Sequence, residues 1–384
     1  MPDYDKDVRQ AYRGGFTYLK PEYREQDLGE GLVLDVNSLY PWVMHDCPLP
    51  YGEPIYFEGK YEPDDMYNLY VQCFRCDFKL KEGYIPSVQL KHNLAFIPTE
   101  YIVDSGTETP VMYMTNVDLE VFLEHYEVFN VEWFSGWKFR STTGMFTSYI
   151  DKWMEVKIES SRNGNKGMRT LSKLMLNALY GKFALSPEVQ SKIPYLNEGR
   201  IAYTYGEKEQ REPLYIPVGV FVTSWARHKT ITSAQKMYKY FVYADTDSLH
   251  LHLPLPETLS KMSNKELENL TTKDLIEHGL EMPEGFEVDP VALGAWKIES
   301  KFNRARFLRQ KSYMEDWNPP ETWDNPETYK KDLLNITCAG MPPSCYQFVT
   351  WENFHIGASY EGKLLPKHVK GGIVLQETEF TIHP

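Results

Sequence analysis

The pattern of hydrophobic and polar positions predicts a fold that mixes strands with helices. The apolar run GLVLDV, which contains Asp35, has the length and composition of a buried strand, and NSLYPWVM after it turns into a short helix. FVYADTDSLHLHL, residues 241–253, predicts two strands folded about a tight turn. We therefore expect Asp35, Asp245 and Asp247 at strand ends, from which their carboxylates can reach a cleft.

A helical hairpin is predicted between these segments. The helical period covers Thr147 to about Glu159 and returns from Lys166 to Phe183, and the turn residues Arg162 to Asn165 join the two runs. On the second helix, spacings of three and four place one polar stripe on a single face, comprising Lys166, Arg169, Lys173, Asn177 and Tyr180. An ordinary solvated face has the same pattern, so the stripe indicates a binding face only in combination with the motifs around it.

Length and composition indicate a large globular protein. The 384 residues are 42% hydrophobic, enough for two or three domains or for one fold with several lobes. No run approaches the roughly 18 apolar residues of a membrane span, and the first ten residues lack a signal sequence, so we expect a soluble, cytoplasmic protein without membrane contact. The odd count of five cysteines favours reduced thiols, and Cys73 and Cys76 lie in a predicted strand rather than in a zinc site.

The net charge of −13 is unevenly distributed along the chain. Residues 251–290 hold nine acids and three lysines, a net −6, whereas residues 301–311 hold five basic residues and no acid. Residues 151–182 hold seven basic and three acidic residues, a net +4. A basic face on an acidic body fits a nucleic-acid channel.

The candidate chemistry is nucleotidyl transfer with two divalent ions. Such a reaction needs carboxylates that hold ions about 4 Å apart, one beside the attacking oxygen and one beside the leaving pyrophosphate. We expect Asp35 and Asp247, with the carbonyl of Val36, to bind two Mg²⁺ ions, for which Mn²⁺ can substitute, and Asp245 to be a nearby catalytic acid. A single aspartate at a turn is more often a cap, so the prediction rests on the combination of all three aspartates. No Walker-type phosphate loop occurs.

The basic and aromatic residues complete a predicted deoxynucleotide site. Lys157, Arg169 and Lys173 would meet the triphosphate, where negative charge develops. The ring of Tyr40 would lie under the sugar and leave no room for a 2′-hydroxyl, while Asn177 and Tyr180 would pack against the nascent base pair.

In DVNSLYP, KLMLNALYGK and YADTDS the chain resembles the family B DNA polymerases, and their protein-primed branch, the phi-twenty-nine-like phage replicases, in particular. The resemblance extends over nearly the whole chain. It implies an α+β right-hand polymerase fold, with an antiparallel palm sheet, helical fingers, a small thumb and two family-specific insertions. It also implies a monomeric, template-directed DNA polymerase that is processive and strand-displacing. Its partners would be DNA template-primer, dNTPs and a terminal protein as an alternative primer.

Three further segments resemble the DNA-contacting motifs of this family. They are YRGGF, FVTSWAR and RQKSY, and the DNA- or primer-binding residues they imply are Tyr12, Gly14, Gly15, Thr223, Arg227, Lys311 and Tyr313.

The resemblance also implies a division of the chain into consecutive segments. In chain order these are a first palm part (1–89), a first insertion that contacts the terminal protein (90–144), fingers (145–187), a second insertion (188–210), a second palm part (211–337) and a thumb (338–384).

The family's proofreading exonuclease lobe, which would precede Tyr12, is expected to be missing. The triplet Asp118-Leu119-Glu120 spells the exonuclease metal motif but falls in a helical pattern, and we interpret it as a surface face. Two alternatives stay open from the sequence: a catalytically silent nucleic-acid-binding or scaffolding module with this fold, and a polymerase of another branch.

Overall fold

The computed structural model describes residues 3–90, 100–197, 200–369 and 372–384. Small parts of the predicted first insertion, second insertion and thumb, namely residues 91–99, 198–199 and 370–371, lie outside the described residues. Within the described ranges, no helix has both the length and the apolar character that crossing a bilayer requires.

The helices are α1 (Asp3–Gln10), α2 (Leu39–Asp46), α3 (Asn116–His125), α4 (Thr147–Arg162), α5 (Lys166–Phe183), α6 (Ile216–Lys236), α7 (Glu257–Lys261), α8 (Asn264–Leu267) and α9 (Thr272–Glu277). The strands are β1 (Thr17–Leu19), β2 (Asp27–Leu28), β3 (Gly31–Val36), β4 (Leu49–Glu58), β5 (Leu69–Leu80), β6 (Val111–Thr115), β7 (Tyr126–Thr142), β8 (Glu188–Asn197), β9 (Arg200–Gln210), β10 (Phe241–Asp245), β11 (Ser248–His252), β12 (Trp296–Phe302), β13 (Arg304–Arg309), β14 (Ser312–Asp316), β15 (Leu334–Cys338), β16 (Ser359–Val369) and β17 (Gly372–Thr381).

A five-stranded antiparallel sheet forms the centre of the molecule, in the order β1-β10-β11-β3-β12. The predicted strands before Asp35 and around the Asp245-Thr246 turn are confirmed, and β3 lies between β11 and β12 because its residues are almost all apolar and buried. Helix α6 packs against this sheet and is apolar on most of its circumference, with Phe221 and Ile231 among its buried residues. The sheet and α6 form the main hydrophobic core.

The predicted helical hairpin is confirmed as α4 and α5. Asn165 in the connecting turn caps α5, since its side chain accepts a hydrogen bond from the backbone N–H of Met168. Both helices bury few residues, so most of the hairpin surface remains exposed beside the central sheet.

Two four-stranded sheets and two two-stranded ribbons accompany the central sheet in the described part of the chain. A four-stranded sheet (β4-β7-β5-β6) crosses the predicted boundary at residue 90, since β4 and β5 precede that residue and β6 and β7 follow it. A second four-stranded sheet has the order β15-β14-β13-β2, and β8–β9 and β16–β17 are two-stranded ribbons. Cys73 and Cys76 lie on β5, as the alternation predicts, and both are buried.

Candidate active site

One cavity of about 300 Å³ contains most of the predicted catalytic and nucleotide-binding residues. It lies between the ends of the central strands and the polar face of α5. The predicted residues that line it are Asp35, Val36, Tyr40, Lys157, Arg169, Lys173, Asn177, Tyr180 and Asp247. The structure therefore brings together residues that are more than 200 positions apart in the chain.

Strand register places the two carboxylates at the mouth of this cavity. Asp35 pairs with Ser248 on one side and with Lys297 on the other, and the backbone N–H of Val36 donates to the carbonyl oxygen of Asp247 at 2.8 Å. This bond joins the end of β3 to the β10–β11 turn. Asp35, near the end of β3, and Asp247, in the β10–β11 turn, are consequently held close together.

The β10–β11 turn is unusually tight. The N–H of Asp247 donates to the carbonyl of Asp245 at 2.7 Å, so a single residue, Thr246, forms the bend with a φ of 61°. A β-branched residue in this left-handed region is strained. The N–H of Thr246 donates to Phe16 O at 2.7 Å, and a Cβ on Gly15 would come within 2.5 Å of the Thr246 side chain. The YRGGF segment thus holds the turn in place.

Burial raises the pKa of both carboxylates, and their mutual repulsion adds to the shift for Asp35. Burial, followed by the charge of Asp247, raises the pKa of Asp35 to about 7, although Lys297 opposes the shift. Burial also raises the pKa of Asp247, with Asp245 and Glu299 contributing in the same direction. Such a pair is stabilised when a divalent cation binds between its members, so the donor set fits the predicted magnesium site.

The side chains of this cavity would supply only part of the coordination shell of a metal ion. Within the described residues, no group of three or more His, Cys, Asp and Glu side chains is arranged to hold a metal ion. Asp35 and Asp247 would be joined by a main-chain carbonyl such as that of Val36, by water and by the triphosphate. This is the usual situation for Mg²⁺, which keeps several waters and substrate oxygens as ligands.

Four cations face the carboxylates, and one of them was not predicted from the sequence. Lys157 donates to the Oγ of Ser38 at 2.9 Å. Burial lowers the pKa of Lys157, and the neighbouring cations Lys173, Lys297 and Arg169 lower it further. The fourth cation, Lys297 on β12, has its Nζ 3.7 Å from Asp35 Oδ2. The alternation of LGAWKIESKF shows a strand, but the sequence does not show which strand it pairs with.

Tyr40 and Tyr180 form the wall of the cavity where a sugar and a base would lie. Their ring centroids are 4.0 Å apart and their planes differ by 21°, a stacked arrangement. Burial raises the pKa of Tyr40, and Tyr180 contributes to the shift. The residue expected under the sugar and the residue expected against the base pair are therefore in direct contact.

Asp245 does not line the cavity but forms an ion pair beside it. The Nζ of Lys311 lies 2.9 Å from Asp245 Oδ1, and Thr17 Oγ1 donates to the same oxygen at 3.2 Å. Tyr313 packs in a ring cluster with Tyr243, and burial raises its pKa. The RQKSY segment is thus connected directly to the catalytic turn.

The structure places the side chains of Thr223 and Arg227, the two predicted DNA contacts on α6, inside the protein. Thr223 is 1% exposed, and its hydroxyl donates to carbonyls of its own helix. Arg227 is buried, and its Nη1 donates to the carbonyl oxygens of Arg13 at 2.7 Å and of Gly14 at 2.9 Å. Arg227 therefore positions the YRGGF segment, where Gly14 is open to solvent and Tyr12 is half-buried.

The interpretation of Asp118-Leu119-Glu120 as a surface face was wrong for Asp118. Its carboxylate receives hydrogen bonds from Arg227 at 2.6 Å, Ser224 at 2.7 Å and Thr115 at 3.0 Å. Burial alone would raise the pKa of Asp118, but the charge of Arg227 and these bonds lower it. Helix α3 packs on two sides, so only Glu120 of the triplet is exposed. Asp118 is committed to an internal ion pair and not to a metal.

Asn37 is a second residue that sequence reasoning missed. Its side-chain amide donates to the carbonyls of Asp289 and Ala292 at 3.0 and 3.3 Å, and its N–H donates to Ala295 O at 2.9 Å. These bonds attach the residue that follows Val36 to the loop before β12. DVNSLYP carries no local signal for these bonds, because the two carbonyls that the side chain binds are 252 and 255 positions away in the chain.

The family described as "DNA polymerase type B, organellar and viral" matches residues 2–265, and the chain belongs to this family. This agrees with the class of site described above, namely paired carboxylates on an antiparallel sheet facing a cationic helical hairpin.

Several relatives are DNA polymerases of phages. The DNA polymerase of Bacillus phage Nf is 46% identical over 386 residues, covering 98% of this chain and 62% of the phage protein. That of Streptococcus phage Cp-1 is 33% identical and covers 91% of this chain and 56% of the relative. The solved structure of phi29 DNA polymerase with primer-template DNA and incoming nucleotide substrates shares 45% identity and a TM-score of 0.81 over 98% of this chain. The chain spans 62% of the length of that polymerase.

Proposed function

We propose that this chain catalyses template-directed DNA synthesis, joining deoxynucleoside triphosphates to a 3′-hydroxyl with release of pyrophosphate. The observation that carries the proposal is the single cavity in which Asp35 and Asp247 face Lys157, Arg169 and Lys173. Carboxylates for divalent ions and cations for a triphosphate are the two requirements of nucleotidyl transfer. The named activity and bound substrates of the phage relatives support the same proposal.

Asp35 and Asp247 would hold two Mg²⁺ ions, with Mn²⁺ as a substitute, together with the carbonyl of Val36. When bound, these ions supply charge neutralisation at the attacking and leaving oxygens. The carboxylates are positioned before any ligand enters, because β3 is paired on both sides and the Asp245–Asp247 turn is held by Phe16 and Gly15. Such preorganisation lowers the cost of reaching the transition state.

The helical hairpin would bind the triphosphate. Arg169 and Lys173 lie one turn apart on the exposed face of α5, and Lys157 reaches the cavity from α4 while bonded to Ser38. An arginine can bind phosphate oxygens in a forked arrangement, and lysines act as point charges. Negative charge that develops on the leaving pyrophosphate would thus meet fixed cations.

The Tyr40–Tyr180 stack would select the sugar and the base pair. A ring lying under the sugar leaves no space for a 2′-hydroxyl, and the neighbouring Tyr180, with Asn177 beside it in the cavity wall, offers a flat surface to the nascent pair. Selection would therefore depend on shape, which permits all four correct base pairs.

DNA would approach past the Lys311–Asp245 pair, Tyr313, Tyr12 and Gly14. Lys311 is 53% exposed, so its charge remains available to a primer phosphate while it orders the catalytic turn. A terminal protein is proposed as an alternative primer, and processive, strand-displacing synthesis by a monomer is proposed from the likeness to the phage polymerases.

The test is a single-nucleotide extension assay on four primer-templates that differ only in the first templating base. Each of the four dNTPs is supplied alone with Mg²⁺, and product length is measured together with DNA affinity at several salt concentrations. We expect extension only with the complementary dNTP, and affinity that falls steeply with salt because phosphate contacts dominate. DNA binding without extension would favour the silent binding module, and untemplated addition would also contradict the proposal.

A further inference from the structure

Lys297 is a cation of the catalytic cavity that comes from the central sheet and not from the helical hairpin. It lies directly opposite Asp35 in the antiparallel β3–β12 pair, so the two side chains project from the same face of the sheet. Its Nζ is 3.7 Å from Asp35 Oδ2, and the two side chains are 35% and 26% exposed. This geometry makes Lys297 the ion-pair partner of a carboxylate that is also expected to bind a metal.

The other cations of the cavity have different structural environments. Lys157 donates to Ser38, whereas Arg169 and Lys173 project from the exposed face of α5. Lys297 is fixed by strand pairing opposite Asp35, and its Nζ is within ion-pair distance of Asp35 Oδ2. Lys297 therefore acts on Asp35 specifically, while the hairpin cations face the space where a triphosphate would enter.

We propose that Lys297 is a tethered counter-ion of Asp35 that a divalent cation must displace before this carboxylate becomes its ligand. The inference rests on the proposed function of the cavity. An ammonium group and a divalent ion are attracted to the same carboxylate oxygens, and they repel each other when both are close to them. The ammonium group remains in the cavity after displacement, where the triphosphate supplies a new anionic partner. Metal binding is thus weak before the nucleotide enters and stronger afterwards.

The experiment measures Mn²⁺ binding to the full chain without DNA or nucleotide, using the electron paramagnetic resonance signal of free Mn²⁺. Lys297→Met removes the charge and keeps the length of the side chain, and we expect the dissociation constant to fall about three- to tenfold. Lys297→Arg keeps the charge and is expected to resemble the unaltered chain. Lys173→Met is the matched control, because it removes the same charge from α5 and should change the constant less than about twofold. Adding dATP should reduce the difference in Mn²⁺ affinity between Lys297→Met and the unaltered chain.

Two outcomes overturn the inference: unchanged or weaker Mn²⁺ binding by Lys297→Met, and equal tightening by Lys173→Met. Thermal unfolding establishes that each variant is folded. If Lys297→Met does not fold, Lys297→Gln serves as a second neutral variant. Asp35→Asn separates this inference from the proposed function. If Asp35→Asn binds Mn²⁺ as tightly as the unaltered chain, the metal site itself is wrong. If Asp35→Asn binds weakly but Lys297→Met behaves like the unaltered chain, only the role of Lys297 is wrong.

Discussion

Tyr40 and Tyr180 stack with their ring centroids 4.0 Å apart, although one lies on α2 beside the central sheet and the other near the end of α5. The contact connects the hairpin that carries the cations to the sheet that carries the carboxylates. A change in either ring should therefore affect both the predicted sugar position and the contact between α2 and the hairpin.

Replacing Tyr40 by valine should admit ribonucleotides, because it removes the ring expected to occupy the space of a 2′-hydroxyl. We predict that discrimination between dNTP and NTP, measured as the ratio of kcat/KM values, falls by about 100-fold or more, which is about 2.7 kcal/mol. Tyr180→Phe keeps the stacking surface and is the control, with discrimination close to that of the unaltered chain. Unchanged sugar discrimination in Tyr40→Val would refute the proposal that the Tyr40 ring excludes a 2′-hydroxyl.

Two adjacent glycines should respond differently to the same substitution. A Cβ on Gly15 would meet the Thr246 side chain at 2.5 Å, whereas a Cβ on Gly14 would have no neighbour within 4 Å. We expect Gly15→Ala to displace the catalytic turn and to lower the rate of single-nucleotide extension at saturating DNA by about tenfold or more, since overpacking costs roughly 1–3 kcal/mol. Gly14→Ala should keep the rate at saturating DNA. Equal rates for the two variants would show that the Gly15–Thr246 contact does not hold the turn.

The Asp118–Arg227 pair should stabilise the fold far more than an exposed pair. Asp118→Asn leaves the guanidinium buried without its counter-charge, and we expect the free energy of unfolding to fall by roughly 3–5 kcal/mol. The control is Glu132→Gln, which breaks the exposed Arg75–Glu132 pair and should cost less than about 1 kcal/mol. Denaturant unfolding at pH 7 measures both. A loss for Asp118→Asn as small as that for Glu132→Gln would contradict the buried-pair assignment.

The pH dependence of the same pair has a defined sign. Arg227 and the hydrogen-bond donors lower the pKa of Asp118 below its unfolded value, so its contribution is present at neutral pH and is lost as pH falls through the folded pKa. The stability difference between the unaltered chain and Asp118→Asn should therefore shrink below about pH 4. A difference that stays constant down to pH 3 would count against the ion pair.

Asp35 should show the opposite dependence in the absence of divalent ions. Its pKa is about 7 in the folded chain, above the value of 3.8 for a free side chain, so its contribution to stability is full at low pH and is lost as pH rises through 7. We predict that Asp35→Asn gains stability relative to the unaltered chain between pH 5 and pH 8, by roughly 1–3 kcal/mol. Added Mg²⁺ should reduce this gain. A stability difference independent of pH would show that the carboxylate is not destabilised by burial and Asp247.

The central strands and the hairpin could be predicted because their signals are local. A buried apolar run, a turn between alternating segments and a helical period each lie within a few residues, and the predicted stripe on α5 carries four residues into the cavity. Register across the sheet is not local. The placement of Lys297 against Asp35 depends on β12 pairing with β3, which neither segment encodes alone.

The wrong surface interpretation of Asp118 and the unexpected burial of Arg227 have a related cause. Their side chains meet although they are 109 residues apart, and each lies on a helix that packs on more than one side. An acid on a short helix and an arginine in a motif both look solvent-facing when read alone. Only the tertiary structure shows that they neutralise each other and hold the backbone of Arg13 and Gly14.

Single-turnover extension by Asp247→Asn tests the central claim most directly, because this change removes one of the two carboxylates of the cavity and adds no volume. The rate is measured with saturating primer-template, the complementary dNTP and Mg²⁺, and DNA affinity is measured on the same preparation. We predict a rate at least about 1,000-fold lower with DNA affinity within about twofold of the unaltered chain. Extension within tenfold of the unaltered rate would contradict the assignment of Asp35 and Asp247 as the metal-binding pair of a polymerase.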